Sequence, residues 1–283
     1  MKPLLKWPGG KRKLVDRILA AFPPSASTSP LFEPFVGSAA VALAAGAPGG
    51  TLADVNPRLM EFHDVVRQRP IMLCRHLREF PCISGWKDRY ASIRTAFNVS
   101  LGAGDQPLNA ARLLWLNKAC FNGLYRENAK GYFNVPPGSY ATVNLPDELE
   151  IAAVSRALQP HTLLCQGFHD TIEQAPTGAR LYVDPPYDPL SPTASFTSYA
   201  SRPFTWEDQV ALAQACAVAR DRGVHVVASN HGTDRVRDLW TGLGFTFQNV
   251  EGVKRSISCK GAGRGTTVPE VLFTSWEEEL EVL

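Results

Sequence analysis

The sequence predicts an α/β fold: a mainly parallel sheet flanked by helices, interrupted by an inserted, mainly helical unit containing a hairpin loop. Three observations carry this. A strand, a glycine turn and a helix follow one another in LFEPFVGSAAVALAAG (31–46), and the next strand, in TLADVNPRL, ends on an acid. Three later runs, HTLLCQ (161–166), ARLYVD (179–184) and VHVVAS (224–229), are short and apolar, as buried parallel strands are. Between these halves, residues 62–145 lose the strand–helix rhythm. Residues 1–61 and 146–283 are therefore assigned to one domain, and 62–145 to an inserted subdomain.

Each element has its own signal. Leu31–Val36 reads as the first strand, Gly37 as the turn and Ser38–Ala45 as a helix of small residues. The following strand ends at Asp54. Pro57 then sits in the first helical turn, where its missing N–H costs nothing. The insert contains MLCRHLREF, WKDRYASIRTAF and NAARLLWLNKACF, all helical in pattern, before the Gly/Asn/Pro-rich FNGLYRENAKGYFNVPPGSY. A loop of that kind on a rigid scaffold commonly carries recognition. In TWEDQVALAQACAVARDRG, Thr205 and Asp208 form a capping-box pattern and Gly223 a helix stop.

Composition excludes several classes. With 283 residues, 45% hydrophobic and 20% charged, the chain is globular rather than disordered. No apolar run approaches the roughly 20 residues a bilayer requires. MKPLLKWPGGKRKL has no apolar core of a secretory signal, so a cytoplasmic location is expected. The six cysteines form no C-x-x-C and no ligand spacing with histidine. Reduced thiols and no metal are expected. Net charge is only +2, but Lys2, Lys6, Lys11, Arg12, Lys13 and Arg17 crowd one segment, and Lys254, Arg255, Lys260 and Arg264 another. On charge alone these are either one anion-binding face or separate solvated patches.

The phosphate-cradling loops are absent. There is no G-x-x-x-x-G-K-[ST], and no G-x-G-x-x-G, because Ser38, Ala39 and Ala40 follow Gly37. Asp54 stands where a ribose diol is held in such folds, or else caps the following helix. A ligand with a ribose and no pyrophosphate fits this turn, and S-adenosylmethionine is the common one.

LYVDPPYDPL (181–190) shows the chemistry. Pro185 and Pro186 end the strand because proline cannot donate to the ladder. Ligands in open α/β sheets sit beyond the carboxyl ends of strands. There, Asp184 and a proline carbonyl are hydrogen-bond acceptors, and Tyr187 offers a ring face worth about 1–3 kcal/mol in stacking on a base. Two acceptors beside a stacking ring suit an exocyclic amino group. Acceptors aimed at its hydrogens localise a lone pair otherwise delocalised into the ring, so that it attacks a sulfonium methyl in line. A simple strand-end turn is the alternative.

These segments together resemble the Dam-type DNA adenine-N6 methyltransferases, the D12 class with a DPPY motif, from residue 6 to about residue 274. The likeness rests on KWPGGKRKL, FEPFVGSAAV, LADVNPRL, LNKACFNGLYRENAKGYFNVPPGSY, DPPYDPLSPTASFTSY, SNH (229–231) and KRSIS (254–258), in family order. It implies a Rossmann-like S-adenosylmethionine-dependent methyltransferase sheet with a DNA-recognition insert. Catalysis would rest on Asp184, Pro185, Pro186 and Tyr187. The cofactor would be held by Trp7, Lys11, Phe35, Gly37, Asp54 and Asp184. DNA would be contacted by Lys6, Phe121, Asn122, Leu124, Arg126, Asn134, Pro136, Arg255 and Ser256. Lys6 would reach one guanine, Arg126 another, and Phe121 with Asn122 would fill the gap left by an extruded adenine. The implied partner is double-stranded DNA, at GATC, with the chain acting as a monomer, without metal or membrane. Ala39 stands where the family usually has a second glycine, and the extra methyl is expected to weaken cofactor affinity at most. Phe121 stands where the family often has tyrosine.

Three rivals differ in chemistry, substrate or activity. Cytosine-C5 methylation needs a Pro-Cys nucleophile, and Pro81-Cys82 exists, though inside the helical insert. RNA adenine or a protein amide nitrogen is a second substrate class. An inactive DNA-binding relative is the third, against which Asp184 to Tyr187 stand intact.

Overall fold

A computed structural model describes residues 1–100, 104–188, 204–250 and 270–276. Arg255, Ser256, the segment after Asp188 and KRSIS lie outside the described residues.

The strands β1 (Leu31–Phe32), β4 (Arg180–Val183), β5 (His225–His231), β7 (Glu270–Thr274) and β6 (Thr246–Val250) pair in that order, while β2 (Gly50–Asp54) pairs with β3 (His161–Cys165). A bridge from Glu33 to Leu52 joins the two sheets, with Glu33 N donating to Thr51 O and Ala53 N to Glu33 O. The layer thus reads β3-β2-β1-β4-β5-β7-β6. The first five strands run parallel, and β7 is antiparallel to both neighbours. This is the expected α/β sheet, with ten α-helices among the described residues.

Strand register divides the core. Pairing Tyr182 with Val227, and Ser229 with Leu272, puts these four on one face; Val183, Ala228 and Phe273 take the other. Val183, Ala228 and Phe273 pack under α8 (Phe168–Glu173), α9 (Trp206–Asp221) and α10 (Asp234–Gly242). Tyr182, Val227 and Leu272 belong to a larger cluster. It runs through α1 (Val15–Ala20), α2 (Ala40–Ala45) and α3 (Pro57–Gln68) into α4 (Pro70–Leu77), α5 (Trp86–Val99), α6 (Gln106–Ala119) and α7 (Glu148–Leu158). Trp86 meets Tyr90 and Trp115 edge to face there, and Tyr90 lies tilted against Trp115. The helical insert therefore shares one apolar core with the sheet, and α3 runs through residue 62.

Local chemistry sets the ends. Asn56, not Asp54, caps α3, accepting from the amides of Arg58 and Leu59 at 3.1 Å each, with Pro57 at the first position. The Thr205–Asp208 capping box opens α9. The first strand is shorter than its apolar run suggests, because Pro34 has no amide to extend the ladder. The helix α2 starts at Ala40 rather than Ser38, because Ala39 lies in the left-handed region at φ 60° and ψ 30°. Without glycine there, the backbone strain is about 1–2 kcal/mol.

Candidate active site

The carboxyl ends of β2, β1 and β4 lie side by side, because these strands are adjacent and parallel. After β1 the chain turns at Gly37, whose φ is +48°; a Cβ built there would sit 3.0 Å from Trp7 Cδ1. The indole thus rests on bare backbone, which is what requires the glycine. Trp7 stacks with its ring centroid 4.7 Å from that of Tyr125. Asp54, at the end of β2, accepts from Asn56 N at 3.0 Å and Gly37 N at 3.3 Å. Burial pushes its carboxyl up to about 6 even so. His63 Nε2 donates to Gly37 O at 2.8 Å, fixing the turn from below. Burial lowers this imidazole to about 4, so it is neutral. Phe35 stacks on Phe168 with centroids 5.8 Å apart and meets Phe204 edge-on, forming an aromatic wall.

The Asp184–Asp188 turn is fixed by residues from four other elements. Asp184 Oδ1 accepts from Ser229 Oγ at 2.7 Å and from Lys11 Nζ at 2.7 Å. Ser229 in turn meets the Tyr182 hydroxyl at 2.9 Å. The carbonyl of Pro186 is taken by Gln209 Nε2 at 2.7 Å. Tyr187 donates its hydroxyl to Glu270. His231 Nδ1 donates to Asp188 O at 2.9 Å, and Arg235 pairs with the Asp188 carboxylate. Such rigid anchoring is what preorganised catalysis requires.

Burial raises the Asp184 carboxyl above the usual range, and Lys11 opposes the rise. Lys11 is buried, donates to Gly9 O at 2.9 Å, and lies 4.6 Å from the Tyr187 ring centroid. It stands at the Asp184 carboxylate, with Glu270 3.5 Å away.

The hairpin lies beside these strand ends, with Tyr125 stacked on Trp7. Lys6 N donates to Asn117 Oδ1 at 2.8 Å, and Asn117 Nδ2 returns to Lys6 O at 2.8 Å and to Gly123 O at 3.1 Å. One buried amide thus ties the Lys6–Trp7 segment to the turn carrying Phe121 and Asn122. Phe121 is 49% exposed, unusual for phenylalanine beside a core. Asn122 is left-handed at φ 55°, a conformation asparagine tolerates. Leu124 O accepts from Cys120 Sγ at 3.3 Å. Arg126, Lys6 and Pro136 are exposed.

The structure thus gathers Asp184–Tyr187 with Lys11, Gly37 with Trp7 and Asp54, and Lys6 with the hairpin. The reading of sequence alone missed Glu33, Ser229, Gln209, Glu270, Phe168, Tyr125 and Asn117 as parts of the site. Ser229 lies within SNH, Glu33 within FEPFVGSAAV, and Asn117 and Tyr125 within LNKACFNGLYRENAKGYFNVPPGSY, but those motifs gave them no role; Gln209, Glu270 and Phe168 carried no signal. Glu33 is buried, its Oε1 has no partner among the described residues, and burial with the Asp184 charge pushes its carboxyl up to about 8. Cys82 lies in the α4–α5 connection, its thiol raised by burial and pointed at Phe80 O, while Pro81 O receives Trp115 Nε1. It has no thiolate character.

A sheet of this strand order, with a single-glycine turn, an acidic second-strand end and an Asp-Pro-Pro-Tyr strand end, defines a methyltransferase of the α/β class. Comparison with known proteins gives the family. The model of the D12 class N6 adenine-specific DNA methyltransferases matches residues 7–256. The DNA adenine methylase of Vibrio cholerae serotype O1 is 38% identical over 265 residues, covering 93% of this chain and 92% of the relative. The type II methyltransferase M.MjaIII of Methanocaldococcus jannaschii is 33% identical, over 98% and 99%. The DNA adenine methylase of Escherichia coli K12 is 34% identical, over 93% and 91%. The chain belongs to the D12 class of N6 adenine-specific DNA methyltransferases. No helix among the described residues is long and apolar enough to cross a membrane.

Proposed function

We propose that this chain, acting as a monomer in the cytoplasm, methylates N6 of adenine in double-stranded DNA at GATC, using S-adenosylmethionine and an extruded target base. The observation that carries the reading is the Asp184 carboxylate, held by Ser229 and Lys11 at 2.7 Å each beside the Tyr187 ring. With the Pro186 carbonyl engaged by Gln209, Pro185 O is the second acceptor.

The Gly37 turn suits the cofactor: its bare backbone lies against the Trp7 indole, and a Cβ there would crowd that ring. Gly37, Trp7 and Phe35 would line the cofactor site, and Asp54 would accept from the ribose hydroxyls. Bound there, the cofactor supplies an electrophilic sulfonium methyl. Asp184 and Pro185 O accept from the two N6 hydrogens and localise the nitrogen lone pair, which forms the N–C bond as the S–C bond breaks. Asp184 then takes the proton N6 must shed. Tyr187 stacks on the purine. Phe121, with Asn122, fills its place in the duplex, offsetting an unstacking cost of a few kcal/mol. Lys6 and Arg126 read guanines, Leu124 and Pro136 line the groove edge, and Arg255 with Ser256 binds phosphate. The helical insert, residues 62–145, acts as the recognition subdomain.

Single-molecule sequencing of DNA from a methylation-free host expressing the chain tests this. N6-methyladenine at GATC is expected. Marks on cytosine, or none, contradict the chemistry; N6 marks at another motif contradict only the target.

Asp54 gives a pH signature. Only its ionised form accepts from both ribose hydroxyls, and it takes up a proton near pH 6. Calorimetric cofactor affinity should hold between pH 7 and 8 and weaken about tenfold per unit below 6. Affinity unchanged from pH 8 to 5 would remove Asp54 from the ribose.

A further inference from the structure

The hairpin holds a side-chain pair, Arg126 with Asn134, on a hydrogen-bonded backbone frame. Arg126 and Asn134 face each other across it, joined by Asn134 N donating to Arg126 O at 3.1 Å. Asn134 is half-buried between Phe133 and Val135, both buried, and its side chain meets that of Arg126. The segment itself is pinned. Asn98 exchanges two hydrogen bonds with the Phe133 backbone, at 2.8 and 3.0 Å, and Tyr90 donates to Val135 O at 2.8 Å. At the far end, Asn128 Oδ1 accepts from Lys130 N and Tyr132 N, closing the tip.

On this frame, Arg126 Nε donates to Asn134 Oδ1 at 2.7 Å. Among the described residues Arg126 forms no other side-chain hydrogen bond and no ion pair. Holding Nε fixes the plane and direction of the guanidinium and leaves Nη1 and Nη2 as a forward-facing fork. It also excludes the sideways mode, in which Nε and one Nη grip the partner.

We propose that Asn134 is a positioning residue for base recognition: it acts through Arg126, presenting the two terminal amino groups end-on to the O6/N7 edge of a guanine, and not through a DNA contact of its own. This rests on the reading of Arg126 given above. A free arginine loses the freedom of its long side chain on docking; one already held by Asn134 loses less. The gain goes only to the base whose two acceptors match the fork, so Asn134 raises discrimination rather than general affinity.

The test is a double-mutant cycle on guanine discrimination. Wild type, Arg126→Ala, Asn134→Ala and the double variant are assayed on a GATC duplex and on duplexes with each guanine in turn replaced by 7-deazaguanine, which lacks N7. Discrimination is the ratio of kcat/KM between the normal and the sensitive modified duplex. It should be about tenfold in wild type and near one in Arg126→Ala. In Asn134→Ala it should fall about three- to tenfold, the scale of one immobilised side chain. Asn134→Ala should add nothing in the Arg126→Ala background. Asn134→Asp, which keeps the acceptor, should retain discrimination. Equal loss on every duplex, or further loss of discrimination in the double variant, overturns the role of Asn134. Discrimination surviving Arg126→Ala overturns the reading of Arg126 itself, a separate and recognisable failure.

Discussion

Replacing Asp184 by asparagine is expected to lower kcat about 10²–10³-fold, the usual loss when one preorganised charge-stabilising group is removed. The KM for DNA should change little, because Tyr187, Phe121, Arg126 and Lys6 provide the proposed binding contacts. The direction follows from hydrogen-bond polarity. Ser229 and Lys11 both donate to Oδ1, at 2.7 Å. In the variant those donors select the amide oxygen at that position. The amide NH₂ then occupies the place of Oδ2 and points donors at an amino group whose hydrogens need acceptors. Folding should survive, since the oxygen still satisfies Ser229 and Glu270 remains 3.5 Å from Lys11. Single-turnover methyl transfer on a GATC duplex measures the effect. Wild-type kcat in Asp184→Asn would remove the carboxylate from the chemistry. The same group sets the acid limb of activity. Its carboxyl is raised by burial, so activity should fail on acidification at a pH above the ordinary aspartate range.

The second large effect is on stability. Glu33 is 2% exposed, and Oε1 has no partner among the described residues. Burial, then the charge of Asp184, raises its carboxyl from 4.5 to about 8, while the Ala42 amide and Arg180 oppose the rise. A carboxyl whose folded value exceeds its unfolded value contributes stability that is complete below about 4.5 and is lost as pH rises through about 8. At about 1.4 kcal/mol per unit, the loss by pH 9 is on the order of 3–5 kcal/mol. Glu33→Gln keeps the shape and removes the titration. Urea midpoints of the two proteins should agree near pH 5 and diverge at pH 9, with the glutamine variant more stable. Asp54, raised to about 6, adds a smaller loss in both proteins and cancels in the comparison. Parallel curves for both proteins from pH 5 to 9 would show that Glu33 is not a buried neutral acid.

Much of the sheet was legible because buried parallel strands are continuous apolar runs, and LYV and HVVAS are such runs. The edge was not. Thr246–Val250 alternates poorly and is mostly exposed, so its sequence lacks the period that marks a strand. Glu270–Thr274 is short and gains its place only by pairing with β5 and β6. The Asp184–Tyr187 turn was legible because two prolines stop a strand where nothing structural demands an acid and an aromatic ring. What fixes that turn was not. Ser229, Gln209 and Glu270 are ordinary polar residues 45, 23 and 83 positions from their partners. Only the folded sheet assigns them. The same holds for Asn117, which reaches Lys6 across 111 positions. Lys11 was legible as part of KWPGGK, but its place against Asp184 depends on how the N-terminal segment crosses the sheet end.

The account turns on an adenine amino group meeting the acceptors at the end of β4. A crystal structure of the chain with S-adenosylhomocysteine and a GATC duplex tests this most directly. The expected result is an extruded adenine stacked on Tyr187, with N6 within about 3 Å of the Asp184 carboxylate and of Pro185 O. An adenine still stacked in the duplex, or one held with N6 away from residues 184–187, would contradict it.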